Sequence, residues 1–171
     1  MQGIPSKINM FNVYRDGNTL TGLSGEVTLP DFEAISETIS GPGILGEIDD
    51  PTIGHFGSQE IEVPFRNFTE DAFNLMTPGD NVNLTLRGSI QVTTTGGGVD
   101  YVGMRVVLRG KCKSFTGGTV KQGAAMASSV KLELTYIRID LDGSPKVALD
   151  KLNSVYKLNG VDILEKARSL C

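Results

Sequence analysis

The chain has 171 residues, 39% hydrophobic and 21% charged, with a net charge of −4. That describes one globular domain able to bury a core without disulfide or metal support. An excess of 20 acidic over 16 basic residues argues against a sequence-independent nucleic-acid binder, whose affinity comes from neutralised phosphates. The opening Met1-Gln2-Gly3-Ile4-Pro5-Ser6-Lys7 has no apolar signal run, and no stretch approaches the roughly 18 apolar residues of a membrane span. A soluble protein made in the cytosol is expected, with Cys112 and Cys171 as free thiols.

Asp16-Gly17 reads as the first hairpin turn. From Ser36 to Gly57 runs a long loop with Gly41, Pro42, Gly43, Gly46, Pro51 and Gly54, carrying apolar Ile44, Leu45, Ile48 and Ile53. Structureless loops beyond about 15 residues are uncommon unless functional or disordered, so these apolar residues are expected to bury in a partner. Ile61, Val63 and Phe65 alternate with Glu60, Glu62, Pro64 and Arg66. Pro64 cannot donate to a ladder and puts that strand at an edge or bulge. Thr69 to Met76 reads as a short helix with Thr69 as N-cap, Glu70 and Asp71 in its first turn, and Pro78-Gly79 as its stop.

The strongest period-two signal follows. Val82, Leu84, Leu86, Ile90 and Val92 share one face, and Asn83, Thr85, Arg87, Ser89, Gln91 and Thr93 the other. After the turn Thr94 to Gly98, Val102, Met104, Val106, Leu108 and Cys112 alternate with Arg105, Arg109, Lys111 and Lys113. A second loop, Ser114 to Ser128, is rich in Gly, Ala and Ser. In the strand Ser129 to Leu141, Val130, Leu132, Leu134 and Tyr136 fall on one side and Ile137, Ile139 and Leu141 on the other. That one-residue phase change predicts a β-bulge or a strand passing between two environments. Asp142-Gly143 is another hairpin turn, and a C-terminal helix is expected from about Val161 to Leu170. With no repeat and no linker, residues 1–171 form a single domain.

Catalytic chemistry is absent from this pattern. Gly41-Pro42-Gly43-Ile44-Leu45-Gly46 matches G-x-G-x-x-G, but the dinucleotide mechanism needs a helix opening directly after the motif. Here Glu47 to Pro51 follows without helical period, so the motif reads as a turn and no cofactor is expected. Asp140-Leu141-Asp142-Gly143 looks like part of a calcium loop but has strand flanks, so it reads as a hairpin turn and no metal site is expected. His55 is the only histidine, which removes most triads and metal-ligand sets. Arg105, Arg109, Lys111 and Lys113 are the candidate phosphate strip. Without interleaved aromatics they read as a solvated or subunit-facing surface.

Against this background the chain resembles the major tail tube family of contractile-tailed phages and R-type bacteriocins. The resemblance is strongest in Arg138-Ile139-Asp140-Leu141-Asp142-Gly143, Lys146 to Asn153, and Val155-Tyr156-Lys157-Leu158-Asn159-Gly160-Val161-Asp162. Phe11 to Gly17, Val27 to Pro30 and Val107 to Gly110 are similar but less specific. The resemblance implies a mainly β fold, with two antiparallel sheets as a β-sandwich or partial barrel and one or two short helices. It implies self-assembly into stacked hexameric rings, a continuous barrel around a lumen. The tube would carry DNA or form a membrane-puncturing needle, with sheath, baseplate and tape-measure proteins as partners and no stable membrane association. It would reside in a virion tail or extracellular particle.

The residues expected at the subunit interface are Ile44, Leu45, Ile48, Ile53, Phe56 and Pro64. The candidate lumen face is Asn83, Thr85, Arg87, Ser89, Gln91 and Thr93, mostly uncharged, as suits a conduit that must not hold phosphate. Two rival readings are a type VI secretion ring protein, disfavoured by the Asn-Gly-Val-Asp pattern, and a monomeric β-sandwich binding module.

Overall fold

A computed structural model describes residues 3–171. In chain order the elements are β1 (Ile4–Arg15), β2 (Asn18–Thr19), β3 (Ala34–Ser40), β4 (Glu47–Phe56), β5 (Glu60–Phe65), α1 (Glu70–Leu75) and β6 (Val82–Thr93). Then come β7 (Val99–Thr116), β8 (Ser128–Leu141), β9 (Ser144–Asp150), β10 (Val155–Leu158), β11 (Val161–Asp162) and α2 (Glu165–Ser169). They make two antiparallel sheets, one of order β11-β10-β9-β8-β7-β6-β1-β2 with β5 also on β8, and one of β3 and β4.

Three hairpins close as their turn residues demand. Asp16-Gly17, Asp142-Gly143 and Asn159-Gly160 each place both residues at positive φ, the conformation of a type I′ turn, whose twist matches that of the flanking strands. The longer turn Thr94–Gly98 joins β6 to β7 in the register Thr93↔Val99 through Val82↔Gly110.

The core is built from alternate residues of these strands. Val13, Ile61, Val63, Phe65, Val82, Leu84, Leu86, Val106, Leu108, Val130, Leu132 and Leu134 are buried in one cluster with Ala72 and Leu75 of α1. The large sheet therefore folds over the core: β1, β6, β7 and β8 form one wall, and β5 with α1 forms the other. Bridges Leu23↔Phe65 and Thr28↔Glu62 tie the segment after β2 to the outer edge of β5. Pro64 sits on that edge, where its missing N–H removes no ladder bond. Thr69 caps α1, its Oγ1 accepting from the Ala72 N–H at 3.2 Å.

The phase change in β8 is a bulge. Arg109 pairs with Tyr136 and Gly110 with Leu134, leaving Thr135 as the extra residue. The bulge returns Ile137 to the core beside Leu134, and Tyr136 moves to the opposite face, against the sequence expectation. There its ring lies 4.5 Å from the Arg109 guanidinium. Three boundaries also differ from expectation. The region 36–57 is the β3–β4 hairpin, and the second loop shrinks to 117–127 because β7 continues to Thr116. The C-terminal helix starts only at Glu165, because Asn159-Gly160 first turns the chain into β11.

Gly110 makes the bulge possible. A Cβ there would lie 2.1 Å from the Glu133 carbonyl oxygen, whereas one on Gly103 meets nothing within 4 Å. Gly110→Ala should therefore cost about 2–3 kcal/mol, as forced overpacking does, while Gly103→Ala leaves stability nearly unchanged. Urea unfolding midpoints check this, and equal midpoints for the two variants would remove the close approach as the constraint.

Candidate functional site

Two surfaces are left without partners by the fold. The first is the β3–β4 hairpin, an arm whose strands pair only with one another. Its base is held by Phe56, whose ring packs edge-on between Phe32 at 5.4 Å and Tyr156 at 5.3 Å. Gly54 lets the chain pass under Leu164, whose Cδ1 would lie 2.7 Å from an added Cβ. Beyond that base Ile35, Ile39, Leu45, Ile48 and Ile53 are all exposed. Ile39 pairs directly with Ile48, and Glu37 with Asp50, so these four share one face. On the other face Thr38 Oγ1 donates to Asp49 Oδ1 at 2.7 Å.

Of the residues expected at the interface, Ile44, Leu45, Ile48 and Ile53 lie on the arm or at its tip. Phe56 is in its base, and Pro64 lies apart on β5. The G-x-G-x-x-G run is the arm's turn region and leads into β4, not a helix. His55 is exposed on β4.

The second surface is a ribbon formed by the first part of β1, the end of β6 and the start of β7. Beyond Val13 the outer edge of β1 has no strand partner among the described residues, since β2 pairs only with Tyr14 and Arg15. Residues 99–103 of β7 likewise have a strand on the β6 side only, because β8 joins at Met104. Ile4, Ile8, Met10, Val99 and Tyr101 are exposed along this ribbon.

The six candidate lumen residues share one face of β6, and neighbouring strands bring charge onto it. Arg87 pairs with Arg105 and Asn83 with Arg109, so the stripe and the strip that the sequence kept apart form one surface. Arg87, Arg109 and Arg138 on it are engaged. Arg87 lies 5.8 Å from the Tyr14 ring, and Arg138 Nε donates to buried Asp140 Oδ1 at 2.9 Å. Lys113 sits between Glu60 at 3.1 Å and Glu133 at 3.4 Å. Its amine holds the Glu60 carboxyl below the usual carboxylate range, and the Lys113 amine is itself raised.

Asp140 is therefore an ion-pair partner and Asp142 a turn residue. Among the described residues no group of three or more His, Cys, Asp or Glu is placed to hold a metal ion. Cys112 and Cys171 are free. No helix among the described residues is long and apolar enough to cross a membrane.

Residues 5–170 match the phage tail tube protein FII family. The chain belongs to that family. It is 30% identical over 174 residues to the tail tube protein of Escherichia phage P2, covering 96% of each chain. With the major tail tube protein of Serratia phage KSP20 it shares 26% identity over 160 residues, covering 94% of this chain and 91% of that one. Among solved structures it resembles a chain from the sheath/tube terminator of PVC, an extracellular contractile injection system, in the extended state. That match has a TM-score of 0.55 at 14% identity and covers 80% of this chain and 96% of the other, a likeness of fold. As a member of the tail tube family, the chain is a structural tube subunit.

The base of the arm depends on a C-terminal latch. Arg168 donates to both oxygens of Asp162 and to the Ser154 carbonyl, which fixes the segment carrying Leu164. The Arg168 hydrogen bond holds the Asp162 carboxyl below the usual range, with help from the Leu164 N–H. A depressed carboxylate contributes stability above its unfolded pKa and loses it as pH falls through the folded value. The stability gap between the native chain and Asp162→Asn should thus be present at neutral pH and close in acid below the ordinary carboxylate range. Thermal melts across pH check this, and a gap independent of pH would show that the latch is not ionic.

Proposed function

We propose that this tube subunit closes into hexameric rings by joining the open edge of β1 in one copy to the edge of β7 in the next, and that the rings stack through the arm. The observation that carries this reading is the pair of unpaired strand edges on opposite sides of one ribbon. An interface between two different edges is heterologous, and such interfaces close into rings when the rotation permits. Joining them also removes the exposed backbone donors and acceptors that make an edge an aggregation hazard.

In this reading Ile44, Leu45, Ile48 and Ile53 are covered by a neighbouring copy, with Phe56 fixing the arm's direction. Pro64, whose backbone oxygen is already taken by the Ser24 N–H of the same chain, adds a side-chain contact only. Asn83, Thr85, Arg87, Ser89, Gln91 and Thr93 line the lumen, because they share the face of β6 opposite the buried Leu84, Leu86 and Val92. Engaged arginines suit a channel for DNA, since guanidinium groups stacked on tyrosines or paired with Asp140 hold phosphate less firmly than free ones. Sheath, baseplate and tape-measure proteins are the partners, and the chain acts without catalysis. It is made in the bacterial cytoplasm and ends in a virion tail or tail-like particle.

Negative-stain electron microscopy with analytical ultracentrifugation tests the proposal. Rings or stacked tubes are expected, on an added baseplate initiator if not spontaneously. A strict monomer with an initiator present would overturn it in favour of a monomeric binding module. Ile48→Asp should suppress assembly while leaving the monomer's melting temperature within a degree or two, since the residue lies outside the core. With Cys112 and Cys171 replaced by serine, single cysteines at Thr85 or Gln91 should react with a bulky maleimide in the monomer and be protected in the tube; reaction at the same rate in both would place that face outside.

A further inference from the structure

We propose that the acidic arm of one copy docks into a groove across β8, β9 and β10 of another. The proposal rests on the tube reading and names where the arm goes.

The arm's charge is the first observation. Residues 31–57 hold Asp31, Glu33, Glu37, Glu47, Asp49 and Asp50, and no Lys or Arg. Four of them, Glu37, Glu47, Asp49 and Asp50, lie within the arm itself, and the chain outside it is balanced at 16 acids and 16 bases. Within the arm Glu37 and Asp50 face each other across the strands, and neither makes an ion pair among the described residues. Like charges directly opposite one another destabilise a ladder. A cation from outside would relieve this pair, and it sits on the same face as Ile39 and Ile48. The arm therefore presents two carboxylates beside two isoleucines, and its complement is an apolar floor with a basic rim.

The groove is the second observation. It encloses about 290 Å³ and is lined by Tyr136, Arg138, Pro145, Ala148, Val155 and Lys157, with Asp150 at one end. Tyr136, Pro145, Ala148 and Val155 supply an apolar floor, and Arg138 and Lys157 the basic rim. The acids nearby are already engaged. Asp140 accepts from Arg138, and Asp150 accepts from the Leu152 and Asn153 N–H groups and from Asn153 Nδ2. Arg138 is thus shared with Asp140, and Lys157, which makes no ion pair among the described residues, is the cation left to meet an incoming carboxylate.

The third observation is placement. Leu149 and Tyr156 pair across β9 and β10 on the face where the arm's own base packs. Ala148 and Lys157 pair on the reverse face, where the groove opens. Each copy carries its arm on one side of this end of the large sheet and its groove on the other. Two different patches in contact make a heterologous, head-to-tail interface, which can repeat from copy to copy.

Charge reversal tests the proposal in the full-length chain. The arm variant Glu37→Lys with Asp50→Lys, and the groove variant Ala148→Glu with Lys157→Glu, should each lose stacked tube by roughly tenfold, as like-charge juxtaposition predicts. Melting temperatures and single-ring formation show whether each variant still folds. Mixing the two variants should restore tubes, because each reversed arm then meets a reversed groove; so should combining all four substitutions in one chain. Loss of tube in the arm variant alone, with the groove variant assembling normally, would overturn the docking site and leave the tube reading intact. Failure of both the mixture and the four-fold variant to assemble would also overturn it. Failure of the unsubstituted chain to form rings would instead count against the tube reading.

Discussion

Strand β8 serves two different neighbours along one edge: β5 beside its N-terminal half and β9 beside its C-terminal half. The bulge at Thr135 lies between the two. Without the extra residue, Ile137 and Ile139 would turn away from the core, since a shift of one residue moves every later side chain to the opposite face. With it, one strand holds Val130, Leu132, Leu134 and Ile137 in a single cluster while turning Tyr136 outward. The wall that closes the core and the β9–β10 end of the large sheet, which carries the arm's base and the groove, both hang on this strand. Displacing the close approach of Gly110 to Glu133 would disturb packing and assembly surfaces together.

The molecule separates what holds it together from what it offers to others. Buried apolar residues lie where β1, β6, β7, β8, β5 and α1 meet. The exposed isoleucines and leucine lie on the arm, and the exposed Ile4, Met10, Val99 and Tyr101 on the ribbon. Single exposed apolar residues are ordinary on a protein surface, but groups of them on unpaired strands mark an interaction site.

Much of this was legible in the sequence, for a physical reason. A strand half in the core writes its orientation into alternate residues, and β5, β6 and β7 were read from that alternation. The Asp-Gly turns were read from the residues that tolerate positive φ. The arm was not read as strands, because both its faces are solvated and Ser36, Glu37, Thr38, Glu47, Asp49 and Asp50 leave no burial period. Pro51 inside β4 also argued against a ladder. The proximity of Arg105 and Arg109 to Asn83 and Arg87 needed the register of the β6–β7 hairpin, which the length of the Thr94–Gly98 turn sets. The sequence predicts a longer C-terminal helix than the structure holds because Val161 and Asp162 suit either a strand or a first helical turn. Pairing in β11 depends on the Asn159-Gly160 turn behind it.

The irregular edge of β1 carries a consequence for timing. Along the same backbone that would receive a neighbour, Pro5 lacks a donor, Lys7 places a charge, and two register shifts interrupt the ladder with β6. Proline, lysine and bulges are the means by which natural edge strands resist casual pairing. If rings close through this edge as proposed, a free subunit so protected would stay in solution until a template presented the matching edge already in place. Growth would then start from seeds and proceed at their ends, so the number of tubes follows the number of seeds rather than the concentration of subunits. The host could accumulate a large pool of the chain without its condensing into wasted filaments.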